Sequence, residues 1–291
     1  MNADIKPGKY ILAVSGGVDS MVLLDLLAKK PGIELVVAHF NHGIRPDAAR
    51  DEQLVRRVAK KQGLLTEVGY GTLGPKASED IARRARYVFL ASVQKKYKGY
   101  HLITAHHQDD LIETALINLL RGTGRKGLSS IRNDKVVRPL LKNPKSAILA
   151  YARQNNLRWC EDLTNKDVKH LRNSLRLRIL PRLTEKERKL LLSNLATIAK
   201  LNKSIDKQIA TLSRSYLSES LDRGTFSQLP ASVSYEVMAF WLREHNLPSF
   251  DQKIIKRLSM AVKTANPGSQ QPVYDGWQLK LGKQKASLVH P

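Results

Sequence analysis

A single cysteine, Cys160, occurs among 291 residues. No internal disulfide can form, no iron–sulfur cluster can be held by the chain's own thiolates, and no four-cysteine zinc site can be built. Long apolar runs are also missing: nothing approaches the roughly 18 residues a membrane span requires, and Met1–Pro7 lacks the apolar core of a signal peptide. A cytosolic protein with no membrane role is expected. Acidic residues are scarce, with 26 Asp and Glu against 49 Lys and Arg and a formal charge of +23. The basic excess extends through both 1–184 and 185–291, which excludes a lone basic tail and makes a polyanion such as nucleic acid the natural partner. Internal repeats and low-complexity segments are absent.

What is present reads as two domains, 1–184 and 185–291, since 42% apolar residues suffice for a core in each. Tyr10–Val14 is a continuous apolar run ending at glycines, as expected of a strand buried on both faces. Met21–Leu27 follows as a packed helix, Ile33–Phe40 as a second strand, 47–62 as a charged amphipathic helix and Leu64–Val68 as a third strand. Residues 77–97 read as a helix, Tyr100–Ala105 as a strand, and Asp109–Leu120 as a helix stopped at Gly122. This alternation predicts an α/β fold, a parallel sheet with helices on both faces. Beyond Pro144 the pattern is helical, over 146–155, 167–180, 185–221, 231–245 and 250–264, and Asp275-Gly276 between short apolar runs predicts a closing β-hairpin.

Ser15-Gly16-Gly17-Val18-Asp19-Ser20 lies between the first strand and the first helix. Glycines let backbone N–H groups approach a phosphate, the helix start adds a positive dipole end, and the two serines offer hydroxyls. Asp19 repels phosphate unless a cation intervenes, so it is read as a magnesium-side or loop-bracing residue. The Walker pattern that serves γ-phosphate cleavage is absent. Gly122-Thr123-Gly124-Arg125-Lys126-Gly127 has dinucleotide-type glycine spacing but follows a helix instead of opening one, and is read as a mobile basic loop.

Ala105–Thr114 begins where a strand ends, at the carboxyl edge where open α/β sheets bind ligands. Spacing of three and four places His106, Asp110, Glu113 and Thr114 on one helix face, where carboxylates suit a magnesium ion or the amino group of a cationic substrate. Arg172 and Arg176 share a face able to grip RNA phosphates, or else form an ordinary solvated face. Arg83, Arg84 and Arg86 make a second basic cluster with the same two readings.

These segments resemble the tRNA(Ile)-lysidine synthetases, a family of N-type ATP pyrophosphatases of the PP-loop superfamily. The resemblance runs nearly end to end. It includes Ser15–Ser20, His39–Arg45, Glu79 with Ala82-Arg83 and Arg86-Tyr87, and Ala105–Thr114 continuing into Leu119–Gly124. It resumes at Arg138–Leu141, Glu161-Asp162, Thr164-Asn165 and Arg172-Asn173 with Arg176. The His-His-x-Asp-Asp-x-x-Glu-Thr unit followed by Arg-Gly-Thr-Gly is its most specific part.

The resemblance implies cleavage of ATP to AMP and pyrophosphate. The C2 oxygen of the wobble cytidine in tRNA(Ile) with a CAU anticodon is adenylated, free lysine displaces AMP, and codon reading changes from AUG to AUA. It further implies catalytic roles for Asp19, Asp110, Glu113 and His106, and ATP contacts from Ser15, Gly16, Gly17, Val18, Asp19, Ser20 and Arg86. Magnesium would sit at Asp19 and Asp110, and tRNA would be contacted by Arg45, Arg121, Arg172 and Arg176 and by the 185–291 domain. A homodimer is a further candidate assembly. Members often carry Tyr where this chain has His170, and many have a second C-terminal domain beyond this chain's length. Two rivals use the same loop, a tRNA thiolase and a small-molecule amidating enzyme such as NAD synthetase. The single cysteine argues against the first and the charge of +23 against the second. An RNA-binding protein with an inactive ATP site is the reading from a different class.

Overall fold

The structure, a computed structural model, describes residues 1–43, 48–72, 74, 79–129, 131, 136–161, 171–213, 219–247 and 250–290. Arg45, Asp162, Thr164, Asn165 and His170, singled out above, lie outside these residues. The chain divides into two compact units, Met1–Ile117 with Ser130–Leu191 and Asn118–Ser129 with Leu192–Pro291.

The first unit is built on four parallel strands, β1 (Gly8–Ala13), β2 (Ile33–Asn41), β3 (Leu65–Tyr70) and β4 (His101–Ile103), in the order β3-β2-β1-β4. Their helices are α1 (Val18–Ala28), α2 (Ala48–Lys61), α3 (Glu79–Lys96) and α4 (Gln108–Leu120), followed by α6 (Lys145–Gln154) and α7 (Leu171–Ser174). The continuous apolar runs follow from burial on both faces. Along β1 and β2, Tyr10, Leu12, Leu35 and Val37 pack with α1, α2 and α6, while Ile11, Val36 and Ala38 pack with Leu90 and Val93 of α3. Side chains alternate across a strand, so a strand sandwiched between helix layers needs apolar residues at every position. Gly69 of β3 has no room for a side chain, since a Cβ there would lie 2.4 Å from the Phe89 ring, which stacks on Phe40.

The strand order reverses direction between β1 and β4, which pair directly with Leu12 opposite Ile103. The loop after β1 and the segment after β4 therefore emerge side by side at the carboxyl ends of neighbouring strands. Such a switch point is where open α/β sheets form ligand crevices.

In the second unit, α10 (Ala231–Glu244) and α11 (Gln252–Thr264) pack with α9 (Arg223–Gln228) and a four-stranded antiparallel sheet. Its strands β5 (Ser220–Asp222), β6 (Gln270–Pro272), β7 (Gln278–Leu281) and β8 (Lys285–Val289) run in the order β5-β8-β7-β6. Trp241, Phe226, Leu258 and Leu279 centre its core. The expected hairpin is present as β6–β7 and belongs to this larger sheet. Two expectations change. The long helix α8 (Glu185–Ser213) stops short of 221, because Ser220–Asp222 pairs with β8. The 122–127 segment is not a free basic loop: α5 (Arg125–Leu128) is tied down where Arg125 bonds both Glu236 oxygens at 2.9 and 2.7 Å and Asp206 at 2.8 Å. No helix among the described residues is long and apolar enough to cross a membrane.

Leu24 of α1 is fully buried in the larger core cluster of the first unit. Leu24→Ala should cost about 2–5 kcal/mol through lost transfer energy and a residual cavity. Urea unfolding followed by a probe in the first unit would show the lowered midpoint.

Candidate active site

Gly16 adopts φ +90°, a conformation L side chains rarely take, and a Cβ there would come 3.3 Å from Asp51 Cβ. This turns the chain from β1 into α1. Gly17 precedes the helix in extended conformation and supplies no side-chain cap, so the first N–H groups of α1 have no capping side chain at that position. The two serines brace the loop: Ser15 N donates to Ser20 Oγ at 3.2 Å, Ser20 Oγ donates to Gly17 O at 2.9 Å, and Gly17 N donates to Ser15 Oγ at 3.3 Å. The Gly16 carbonyl accepts from Cys160 N at 3.0 Å. A braced loop whose helix start is left open can receive an anion.

Asp19 stands in the first turn of α1, where Lys145 Nζ, from the first residue of α6, lies 2.5 Å from Asp19 Oδ1. His107, 2% exposed, points Nε2 at two carboxylates, 3.7 Å from Asp19 Oδ1 and 3.5 Å from Asp110 Oδ2. Asp110 also accepts the His107 backbone N–H at 2.9 Å and meets Arg176 Nη2 at 3.1 Å. Burial pushes the Asp110 carboxyl up, but His107, His106, the backbone N–H and Arg176 outweigh it and hold the carboxyl below its ordinary range.

His106 lies ahead of the helix, which begins at Gln108, so the expected shared helical face of His106, Asp110, Glu113 and Thr114 does not form. Thr104 Oγ1 fixes its ring through Nδ1 at 2.7 Å. Burial lowers its pKa to about 4, against the pull of Asp110 and aided by Arg138, Arg83 and Arg86, so the imidazole is neutral at pH 7. Glu113 is fully buried and faces inward, accepting a bidentate pair from Arg176 at 2.8 and 2.9 Å with Arg172 Nε at 3.9 Å. Burial pushes Glu113 up toward neutrality and Arg176 opposes that. Arg176 sits in a π-helical turn, Leu175–Ile179, which succeeds α7 and interrupts the described part of the single α-helix expected over 167–180, of which 167–170 lie outside the described residues.

A cavity of about 460 Å³ gathers these parts. Its walls carry Ser15, Asp19 and Ser20 from the loop, Arg86 from α3, and His106 and Asp110 from the segment after β4. Glu113 and Arg176 stand behind Asp110, outside the cavity wall. Arg121 is exposed at the end of α4, in the second unit. The cavity is also lined by His39, Asn41, His42 and Asp51. His39 to His42 fall in a segment that carried the resemblance, but neither these residues nor Lys145 were singled out as site residues. Their proximity comes from β2 lying beside β1, and α6 on α1, which residue spacing along the chain does not report.

Among the described residues no group of three or more His, Cys, Asp or Glu side chains forms a preassembled metal cage. Magnesium needs no such cage, since it keeps waters and takes one or two carboxylates plus substrate phosphates. Asp19 and Asp110 both approach His107 Nε2 and both line the cavity, so this pair fits an ion completed by phosphate oxygens.

A glycine-rich loop after β1 and an acidic segment after β4, opening on one cavity at the switch point of a parallel sheet, define the chain as a nucleotide-binding α/β protein. More particularly, it belongs to the PP-loop domain family, an ATP-utilising family, which matches residues 1–183. Its relatives include tRNA(Ile)-lysidine synthases. That of Thermotoga maritima is 39% identical over 193 residues, covering 62% of this chain and 47% of the relative. That of Thermus thermophilus is 41% identical over 182 residues, covering 60% and 36%. That of Francisella tularensis subsp. holarctica is 29% identical over 301 residues, covering 98% and 74%. The chain thus spans about half the length of the Thermotoga relative. Among solved structures, the U34-tRNA thiolase NcsA from Methanococcus maripaludis shares the fold, with TM-score 0.54 and 18% identity over 68% of this chain and 73% of that one.

Two outcomes follow from the geometry. Arg176→Met strips a buried carboxylate of its bidentate partner and should cost about 3–5 kcal/mol. Adding Glu113→Gln should recover much of that loss, in a denaturation double-mutant cycle. The His106 ring should titrate by NMR near pH 4 instead of 6.5. Because a lowered base pKa means that the unfolded chain binds the proton more readily, the associated stability is fully present above about pH 6.5 and is lost as pH falls toward about 4.

Proposed function

We propose that this chain binds ATP in the cavity after β1 and β4, releases pyrophosphate, and ligates lysine to C2 of the wobble cytidine of tRNA(Ile) through an adenylated tRNA intermediate, which changes codon reading from AUG to AUA. The observation that carries the reading is the opening of both the phosphate loop and Asp110 onto one cavity. On this reading the open start of α1 with Ser15, Gly16, Gly17, Val18 and Ser20 receives the phosphates, and Arg86 of α3 adds a cation to the cavity lining. The names of the relatives, tRNA(Ile)-lysidine synthases, support a tRNA substrate and lysidine as the product. The net charge of +23 supports a polyanionic partner.

Chemically, adenylation converts the C2 oxygen into a good leaving group, and an uncharged lysine amine can then attack. Asp110, held ionised by its neighbours, is assigned to orient lysine, while neutral His106 keeps Nε2 for a substrate hydrogen bond because Thr104 engages Nδ1. Asp19 and Asp110 would hold magnesium, which supplies charge neutralisation on the phosphates. Glu113 serves by fixing Arg176 behind Asp110. Arg45, Arg121 and Arg172 are assigned to tRNA contact, with Arg176 withdrawn from that set because its guanidinium is engaged by Glu113 and Asp110, together with residues 185–291 as the tRNA-contacting domain after a 1–184 catalytic domain. The enzyme would act in the cytoplasm.

Pyrophosphate release should require ATP, lysine and tRNA(Ile) together, and omission of any one should abolish it. Asp110→Asn should lower lysine-dependent release by about 100-fold or more, consistent with the usual range for a lost transition-state interaction. Release that depends on ammonia or glutamine and ignores lysine would overturn the assignment, and binding of tRNA with no turnover would favour an inactive RNA-binding protein.

A further inference from the structure

We propose that Lys145 is a phosphate-contacting residue of this site: its ammonium rests on Asp19 when the nucleotide is absent and engages the β- and γ-phosphates when ATP binds. The inference rests on the ATP reading above and adds a residue to it. Asp19 lies in the first turn of α1, where the open helix start favours an anion, yet its own carboxylate opposes one. Lys145 removes that conflict, with Nζ 2.5 Å from Asp19 Oδ1.

The placement of Lys145 is built into the fold. It is the first residue of α6, directly after Pro144, and α6 is fixed on α1 by fully buried Ile148 and Ala152 and by Tyr151 Oη donating to Asp25 at 2.8 Å. Its backbone is therefore anchored beside the phosphate loop, and its four-carbon stem supplies the reach. The side chain is 33% exposed, so the ammonium is accessible. An ammonium has three donors, of which one suffices for Asp19 and the others can serve phosphate oxygens. A half-buried, partly solvent-screened ion pair of this kind adds little to folding stability, whereas a cation beside a phosphate loop has an evident ligand.

The test is equilibrium binding of ATP, pyrophosphate and AMP to the full chain, without tRNA or lysine, for the wild type, Lys145→Met and Lys145→Arg. Lys145→Met should weaken ATP and pyrophosphate about tenfold or more, the loss of one charge-assisted hydrogen bond, and leave AMP within about twofold, since AMP lacks the β- and γ-phosphates. Lys145→Arg should recover most of the loss. The proposal is overturned if Lys145→Met weakens AMP as much as ATP, which would make Lys145 a brace of the loop, or if it changes none of the three. Wild-type protein that binds no ATP would overturn the nucleotide reading itself, a result distinct from a failure confined to the Lys145 variants.

Discussion

The bidentate pair between Arg176 and the fully buried Glu113 is the interaction on which the acidic half of the site depends. A carboxylate with no solvent contact is tolerated only when paired and hydrogen-bonded. Glu113 thus requires an arginine, and the π-helical turn at 175–179 carries that arginine to it. Arg176 then reaches Asp110 at 3.1 Å and helps to keep that carboxylate ionised at the cavity wall. Arg188 Nη1 meets the neighbouring Asp109 at 2.6 Å, so adjacent acidic residues at the start of α4 are each held by an arginine from the 171–191 stretch.

The same principle organises the other half. The cavity wall carries two carboxylates, Asp19 and Asp110, and each is compensated by cationic or hydrogen-bonding groups: Lys145 on the first, Arg176 and the His107 N–H on the second, with the His107 ring between them. The charge at the cavity wall is set by these local pairs and not by the net charge of the chain. The neutral state of His106 belongs to this balance, because Arg138, Arg83 and Arg86 work with burial to keep a further positive charge off it.

Much of the first unit was legible in residue order. Continuous apolar runs marked β1 and β2, the glycines and serines marked the phosphate loop, and Gly122 marked the end of α4. The second unit was less legible. Strands of three to five residues such as β5 and β8 have too few positions to show a period, and their pairing joins residues more than sixty positions apart, Leu221 with Ala286. The arginine at 125 illustrates the same limit: its glycine-rich surroundings suggested a free loop, whereas three carboxylate hydrogen bonds hold it in the second unit.

The sequence by itself determined the α/β class, the glycine- and serine-rich loop at 15–20 between the first strand and the first helix, and the identity of the acidic segment, because each of these depends on neighbours within one or two turns or strands. The tertiary structure alone decided that Asp110 faces the cavity while Glu113 faces Arg176, that His106 precedes the helix and is neutral, and that Lys145 sits on Asp19. Those outcomes depend on burial and on charges brought together from distant positions, and desolvation and Coulomb energies are set by distance in space, not along the chain.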